Sequence, residues 1–257
     1  MLPVLSEVFG VTTDQLLGLT AIQENAYLEE KYGIKIVAYC VGANLYHVTE
    51  EERIRSLATA FDDVDVAAEL GAPVMRHDVI GTEKFGDKVI DFYRQLPTIA
   101  ENARKITEYA ASKGVRTCSE NHGFVFQDCD RVEQLYTMVN HDNYGLLVDI
   151  GNFACVDEDS VYAVAKLAPY AIHVHAKDFY ITKFGEENPH GKGGKTRRCN
   201  TLNGSVIGEG DIPTNQCIQI LKKAGYDGFV TVEYECAEDC MVGIPRGLAN
   251  LKAFIEQ

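Results

Sequence analysis

Short segments rich in β-branched and apolar residues recur along this chain, each separated from the next by a longer amphipathic stretch. That alternation restricts the fold to repeated βα units around a parallel sheet. The strand candidates are 34–40 (IKIVAYC), 73–79 (PVMRHDV), 115–120 (VRTCSE), 145–150 (GLLVDI), 171–177 (AIHVHAK) and 228–234 (GFVTVEY). Between them, 52–71 and 96–114 place apolar residues at three- and four-residue spacing and end in glycine, as amphipathic helices do. Further helices are expected near 130–140, 158–167, 213–224 and 243–256. A length of 257 residues accommodates an α/β barrel as one domain.

Two stretches break the rhythm. From Tyr180 to Ile207 no periodicity survives, and Gly185, Gly191, Gly193, Gly194 and Gly204 accompany Lys192, Lys195, Arg197 and Arg198. A structureless loop of this length reads as a lid over a site. Before Ile34 the sequence is helix-like with no convincing strand, so residues 1–33 are expected to form a helical segment and 34–257 the barrel domain. On this reading the first two strands of an eight-stranded barrel are missing. The first eighteen residues resemble the closing helices of a phage-repressor-type helix-turn-helix domain, without the recognition helix that would enter a groove.

Charge and composition exclude several classes of function. Lys and Arg number 24 against 38 Asp and Glu, a net charge of −14 that repels phosphate backbones and anionic membranes. No apolar run reaches the roughly 18 residues of a membrane span, and no signal-peptide pattern opens the chain, so a cytoplasmic protein is expected. The eight cysteines lack CxxC spacing, the nearest pair being Cys236 and Cys240, and read as reduced thiols.

In parallel barrels the active site lies at the C-terminal ends of the strands, so a polar residue closing an apolar strand is informative. Glu120 closes VRTCSE, Asp149 closes LLVD, His175 closes IHVH and Glu233 closes FVTVE, each on a different strand. Period two puts Leu147 with Asp149, His173 with His175, and Thr231 with Glu233. Three carboxylates gathered in a partly dry mouth repel one another, and a divalent cation completed by one imidazole relieves that repulsion. An oxygen-rich donor set with one nitrogen favours Mn²⁺ first, with Mg²⁺, Co²⁺ or Zn²⁺ as alternatives. Taken singly, a strand-end Glu also suits a salt bridge or helix dipole, and His173 or His175 a hydrogen-bonded core position.

The motifs SENHG (119–123), LLVDIGN (146–152), IHVHAKDF (172–179), IGEGDIP (207–213) and GFVTVEYE (228–235) resemble those of the xylose-isomerase-like, AP-endonuclease-2-type TIM barrels. The resemblance runs from about Ile34 to the end and implies a (β/α)8-type barrel. It also implies metal ligands at Glu120, Asp149, His175 and Glu233, with Glu120 and Glu233 as the acid/base pair working through an enediolate. The reaction so implied is isomerisation or epimerisation of a sugar, sugar phosphate or cyclic polyol ketone. An inosose-type dehydratase on the same site, or an incomplete barrel subunit needing a partner, are the alternatives. Asn152 stands where ketose 3-epimerases of this family carry a substrate-binding His, and Ile181 where they carry an Arg, which argues against ketohexose 3-epimerisation. His122, Asn152, Lys177, His77 and His173 are the expected substrate-binding residues, with a structural salt bridge or packing as the other role open to them.

Lys177 and Asp178 match the family's HxKD element, and Gly208-Glu209-Gly210-Asp211 reads as a turn and helix N-cap before Ile212-Pro213. The basic cluster at 192–198 suits either a phosphate or carboxylate grip or a solvated loop. The related abasic-site endonuclease reading needs a basic DNA-binding face, which the net charge opposes. The partner expected is therefore a small carbohydrate, with no nucleic acid or membrane. An open strand edge at 34–40 would in addition favour homo-oligomers.

Overall fold

The computed structural model describes residues 31–46, 49–80 and 92–257. The expectations placed on residues 1–30 lie outside them.

Six parallel strands form one sheet in chain order: β1 (Tyr39–Val41), β2 (Val74–His77), β3 (Arg116–Glu120), β4 (Tyr144–Asp149), β5 (Ala171–Ala176) and, after an excursion, β9 (Val230–Val232). Five lie within the strands expected from sequence, exceeding them by at most one residue, while β1 takes only the end of the expected 34–40 and runs on to Val41; β1 and β9 are three residues long. The connecting helices are α1 (Glu50–Glu69), α2 (Phe92–Ser112), α3 (Cys129–Val139), α4 (Ser160–Leu167), α5 (Thr214–Lys223) and α6 (Cys240–Glu256). Helix α1 starts at a reciprocal cap, in which the Glu52 amide donates to Thr49 Oγ1 and the Thr49 amide donates to Glu52 Oε2, each at 3.3 Å. Neighbouring helices are expected to lie side by side along one face of such a sheet, and the large core cluster joins their apolar stripes to Met75, Leu146, Val148 and Val174 of the strands.

The opposite face of the sheet carries a smaller cluster, Val74, Cys118 and Leu147, with Ala38 and Ile172 against it. Strand β5 is bulged here: Leu146 pairs with Ala171 but Leu147 pairs with His173, so Ile172 is the extra residue. Ile172 packs into the space left by Gly145, where an added Cβ would lie 2.5 Å from Ile172 Cγ2. Both Ile172 and His173 therefore face the inner cluster.

The segment from 180 to 207 is not the structureless lid the sequence suggests. Strand β6 (Asp178–Thr182) pairs antiparallel with β8 (Thr201–Ser205), and β8 with the short β7 (Gly194–Lys195), giving a three-stranded flap. Its strands are two to five residues long, and β7 and β8 carry glycine, so no apolar alternation announces them. The flap touches the main body where Gly204 bridges Cys236, an approach so close that a Cβ at 204 would strike the Glu235 carbonyl.

The turn at 208–211 is present, but its expected N-cap role is not. The residue before α5 is Pro213, which makes no side-chain cap, and Asp211 Oδ2 accepts instead from the Ile181 amide at 2.7 Å. Asp178 organises the turn: its carboxylate accepts from the amides of Phe179 and Gly208 at 2.8 Å, and of Gly210 and Ile212 at 3.1 Å. All eight cysteines are free, and no helix among the described residues is long and apolar enough to cross a membrane.

Candidate active site

Alternation along adjacent parallel strands puts Cys40, Arg76, Glu120, Asp149 and His175 on the inner face, at the C-terminal end of the sheet, and Glu233 follows directly on β9. The backbone continues the ladder there, the Glu233 amide donating to the Ala176 carbonyl at 3.0 Å. One ligand atom from each of Glu120, Asp149, His175 and Glu233 lies within 4.8 Å of the other three.

Glu120 is buried and held from two sides. Its Oε1 accepts from Asn152 Nδ2 at 3.0 Å, and its Oε2 forms a short ion pair with Arg76 Nη2. Arg76 also pairs with Asp78 at 2.9 Å and donates to the Val41 carbonyl at 3.1 Å. Asp149 is fully buried, its Oδ1 accepting from the amides of Gly151 at 2.7 Å and Asn152 at 2.9 Å. Asn121 fixes the same residue from behind, exchanging hydrogen bonds with the Asp149 backbone at 2.8 and 2.9 Å. His175 Nδ1 donates to Glu233 Oε2 at 3.0 Å and lies 3.7 Å from Glu120 Oε1. Lys177 Nζ reaches Glu233 at 3.1 Å, Glu235 at 3.4 Å, Asp149 Oδ2 at 3.5 Å and Asn152 Oδ1 at 3.2 Å.

The electrostatics follow from crowding. Burial pushes the Asp149 carboxyl well above its ordinary range, against the pull of Lys177. Burial acts the same way on Glu233, but the hydrogen bond from His175 and the nearby Lys177 charge hold its carboxyl well below that range. His175 resists burial through hydrogen bonds to Cys40 and Glu233 and the nearby carboxylates, which raise its imidazole to about 10. The carboxylates are thus balanced by Arg76, Lys177 and a protonated imidazole.

One buried oxygen of the set lacks a hydrogen bond: Asp149 Oδ2, which Lys177 Nζ approaches only to 3.5 Å. A carboxylate oxygen without a hydrogen bond, grouped with two more carboxylates and an imidazole nitrogen, fits a divalent cation. Such an ion would be held by these four side chains with the imidazole in its neutral form.

The sequence-predicted substrate residues separate into groups. Lys177 and Asn152 join the cluster, Asn152 bridging Glu120 to Lys177. His122 sits at its edge, with its side chain one-third exposed and its Nδ1 donating to Asp78 at 3.0 Å. His173 lies one layer down, paired with Thr231 Oγ1 at 2.9 Å, and burial drives its imidazole down to about 4. His77 does not line the site. It is in register with Ser119, whose hydroxyl bonds Tyr144 on the helix side of the sheet, and its Nδ1 donates to the Asp78 carbonyl at 2.9 Å. The inner-face residue of that strand is Arg76, which the sequence reading passed over together with Asp78 and Glu235. Alternation with Val74 was the signal that could have found Arg76.

The basic cluster also divides. Arg197 is spent on Asp128, at 2.5 and 3.0 Å, and on the Phe124 carbonyl at 2.7 Å, while Lys192 and Lys195 line a cavity under the flap.

Residues 10–255 match the profile of the family described as Xylose isomerase-like TIM barrel. An inosose dehydratase of Yersinia enterocolitica is 27% identical over 178 residues, covering 65% of this chain and 57% of the relative. The chain spans about half the length of the curated relatives it matches. Among solved structures, the IolI protein with a bound zinc atom aligns with a TM-score of 0.70 at 16% identity, over 98% of this chain and 90% of that one. The 3-keto-D-glucoside 4-epimerase of E. coli aligns with a TM-score of 0.67 at 16% identity, over 93% and 86%. At such identities these two structures establish a shared fold.

Proposed function

Because this chain belongs to the xylose isomerase-like TIM barrel family, we propose that it is a divalent-metal-dependent isomerase or epimerase of a sugar, sugar phosphate or cyclic polyol ketone, acting in the cytoplasm. The observation that carries this reading is the convergence of Glu120, Asp149, His175 and Glu233 within 4.8 Å. These four side chains would hold the ion, Mn²⁺ by preference, which when bound supplies positive charge against the negative charge that builds on substrate oxygens during proton removal.

The chain's own residues do the rest. Glu233, one-third exposed, is the most accessible of the three cluster carboxylates, and it takes the proton next to the carbonyl. Glu120 enters the cycle protonated, gives that proton from the other side and is left as the carboxylate that Arg76 and Asn152 hold, and proton exchange with solvent resets the pair after product leaves. Return to the opposite face of the same carbon inverts it, and return to the neighbouring carbon moves the carbonyl. Lys177 steadies Glu233 at 3.1 Å and, buried beside it, keeps a positive charge where the base works.

A second reading, an inosose-type dehydratase, is favoured by Lys177 itself. A buried ammonium next to the base can hand a proton to a departing hydroxyl, and relatives such as the Yersinia protein carry that name. The test is incubation with Mn²⁺ and a panel of ketoses and inososes in D₂O. Deuterium on carbon in a product of the same formula supports isomerisation or epimerisation, and loss of one water supports dehydration. No turnover of any panel member with Mn²⁺, Mg²⁺, Co²⁺ or Zn²⁺ defeats both.

A further inference from the structure

Under the flap lies a cavity of about 580 Å³, a size that suits a small metabolite. It adjoins the catalytic cluster: Glu235 lines it and pairs with Lys177 at 3.4 Å, and Cys155, from the turn that follows Asp149, forms part of its wall.

Its walls are of two kinds. Phe124, Phe179, Tyr180 and Leu202 offer apolar surface, and the Tyr180 ring stacks on His190 at 4.2 Å. Phe124 is held at a left-handed φ of 62°, an unfavourable backbone for a bulky residue. Its carbonyl accepts from Arg197 at 2.7 Å and its amide donates to Gln127 at 2.7 Å. Lys192 and Lys195 bring two positive charges on either side of Gly193 and Gly194. Lys195 Nζ donates to the Thr201 hydroxyl at 2.6 Å, and among the described residues neither lysine has a carboxylate partner. The single carboxylate among the described lining residues, Glu235, is drawn to Lys177. In an acidic chain, two exposed ammonium groups at one cavity, without carboxylate partners among the described residues, leave the counter-charge to be supplied by a ligand.

We infer that this cavity is an oxyanion subsite: the substrate carries a phosphate or carboxylate that sits between Lys192 and Lys195, with its carbon skeleton along the aromatic wall toward the catalytic cluster. The inference rests on the reading of the cluster as a carbohydrate-converting site and narrows the substrate to an anionic member of that class.

The test is calorimetric titration of inorganic phosphate, and separately of acetate, into the chelator-treated full-length protein at low ionic strength. The expected result is saturable one-site binding of at least one anion, weakened tenfold or more in Lys192→Ala/Lys195→Ala. The same binding should persist in the distant surface control Lys223→Ala/Lys252→Ala and in Glu233→Gln. The anion that binds tighter assigns the group as phosphate or carboxylate. If the double variant is unfolded by its melting curve, Lys192→Gln and Lys195→Gln carry the comparison singly. Absence of saturable binding, or equal binding after the lysines are removed, overturns the subsite. Because the titration requires neither metal nor turnover, failure of the catalytic reading is seen separately, as inactivity on the carbohydrate panel.

Discussion

At the strand ends, Glu120, Asp149, His175 and Glu233 are each fixed by a backbone that pairs with strands on either side or continues from one, and by buried neighbours such as Asn152 and Arg76. In the flap, Lys192 and Lys195 ride on an exposed glycine-rich stretch, 191–195, while the rest of the flap is tied to the body by the Gly204–Cys236 bridge, by Arg197 on Asp128 and the Cys155 carbonyl, by Arg198 and Asn200 on Asp157, and by Phe179 and Leu202 in the core. Rigid, over-determined positions suit groups that move protons, where small displacements are costly. An exposed glycine-rich rim suits groups that admit and release a ligand. The contrast predicts that damage at the rim falls on turnover and damage in the flap on binding.

Glu233→Gln tests this at its sharpest point. It should cut kcat by about 10²–10⁴-fold with the melting temperature little changed, read by steady-state kinetics on any accepted substrate. A wild-type rate would remove Glu233 from the chemistry. Asp178→Ala probes the junction of the two regions. Four backbone amides lose their acceptor, and urea denaturation should show a loss of about 3 kcal/mol or more. A cost below about 1 kcal/mol would mean that the turn at 208–211 stands without it. Chelation should abolish activity and, for an ion present at a hundredfold its Kd, remove about 2.7 kcal/mol of stability. That corresponds to a fall on the order of 5–10 °C in Tm, restored by Mn²⁺. Arg197→Ala should have the smallest effect: about 1 kcal/mol or less on stability, with a severalfold rise in KM and an unaltered kcat. A fall in kcat instead would tie the flap to the chemical step and erase the contrast.

The same contrast explains what could be read from the chain. Parallel strands buried on both faces are written as compact apolar runs, so 115–120, 145–150 and 171–177 were visible, and with them the polar residues that end them. The inner face of β2 was misjudged because His77 drew attention as a chemical group, while Val74 and Arg76 alternate onto the site. The flap was illegible because its strands are held by backbone pairing and tight glycine packing, which leave no hydrophobic pattern. Asp178 reads in sequence as the neighbour of a functional lysine. Its actual work, collecting amides from 179 to 212, is a long-range arrangement that no local spacing encodes.

The bulge in β5 ties the imidazole at 175 to a notch far from it in sequence. Ile172 fits only because position 145 has no side chain, and that fit sets which way every later residue of the strand points. Positions 145 and 172 consequently behave as one locus for anyone re-engineering this protein: a methyl group added to the first is a change to the aim of the histidine, and must be matched by trimming the second.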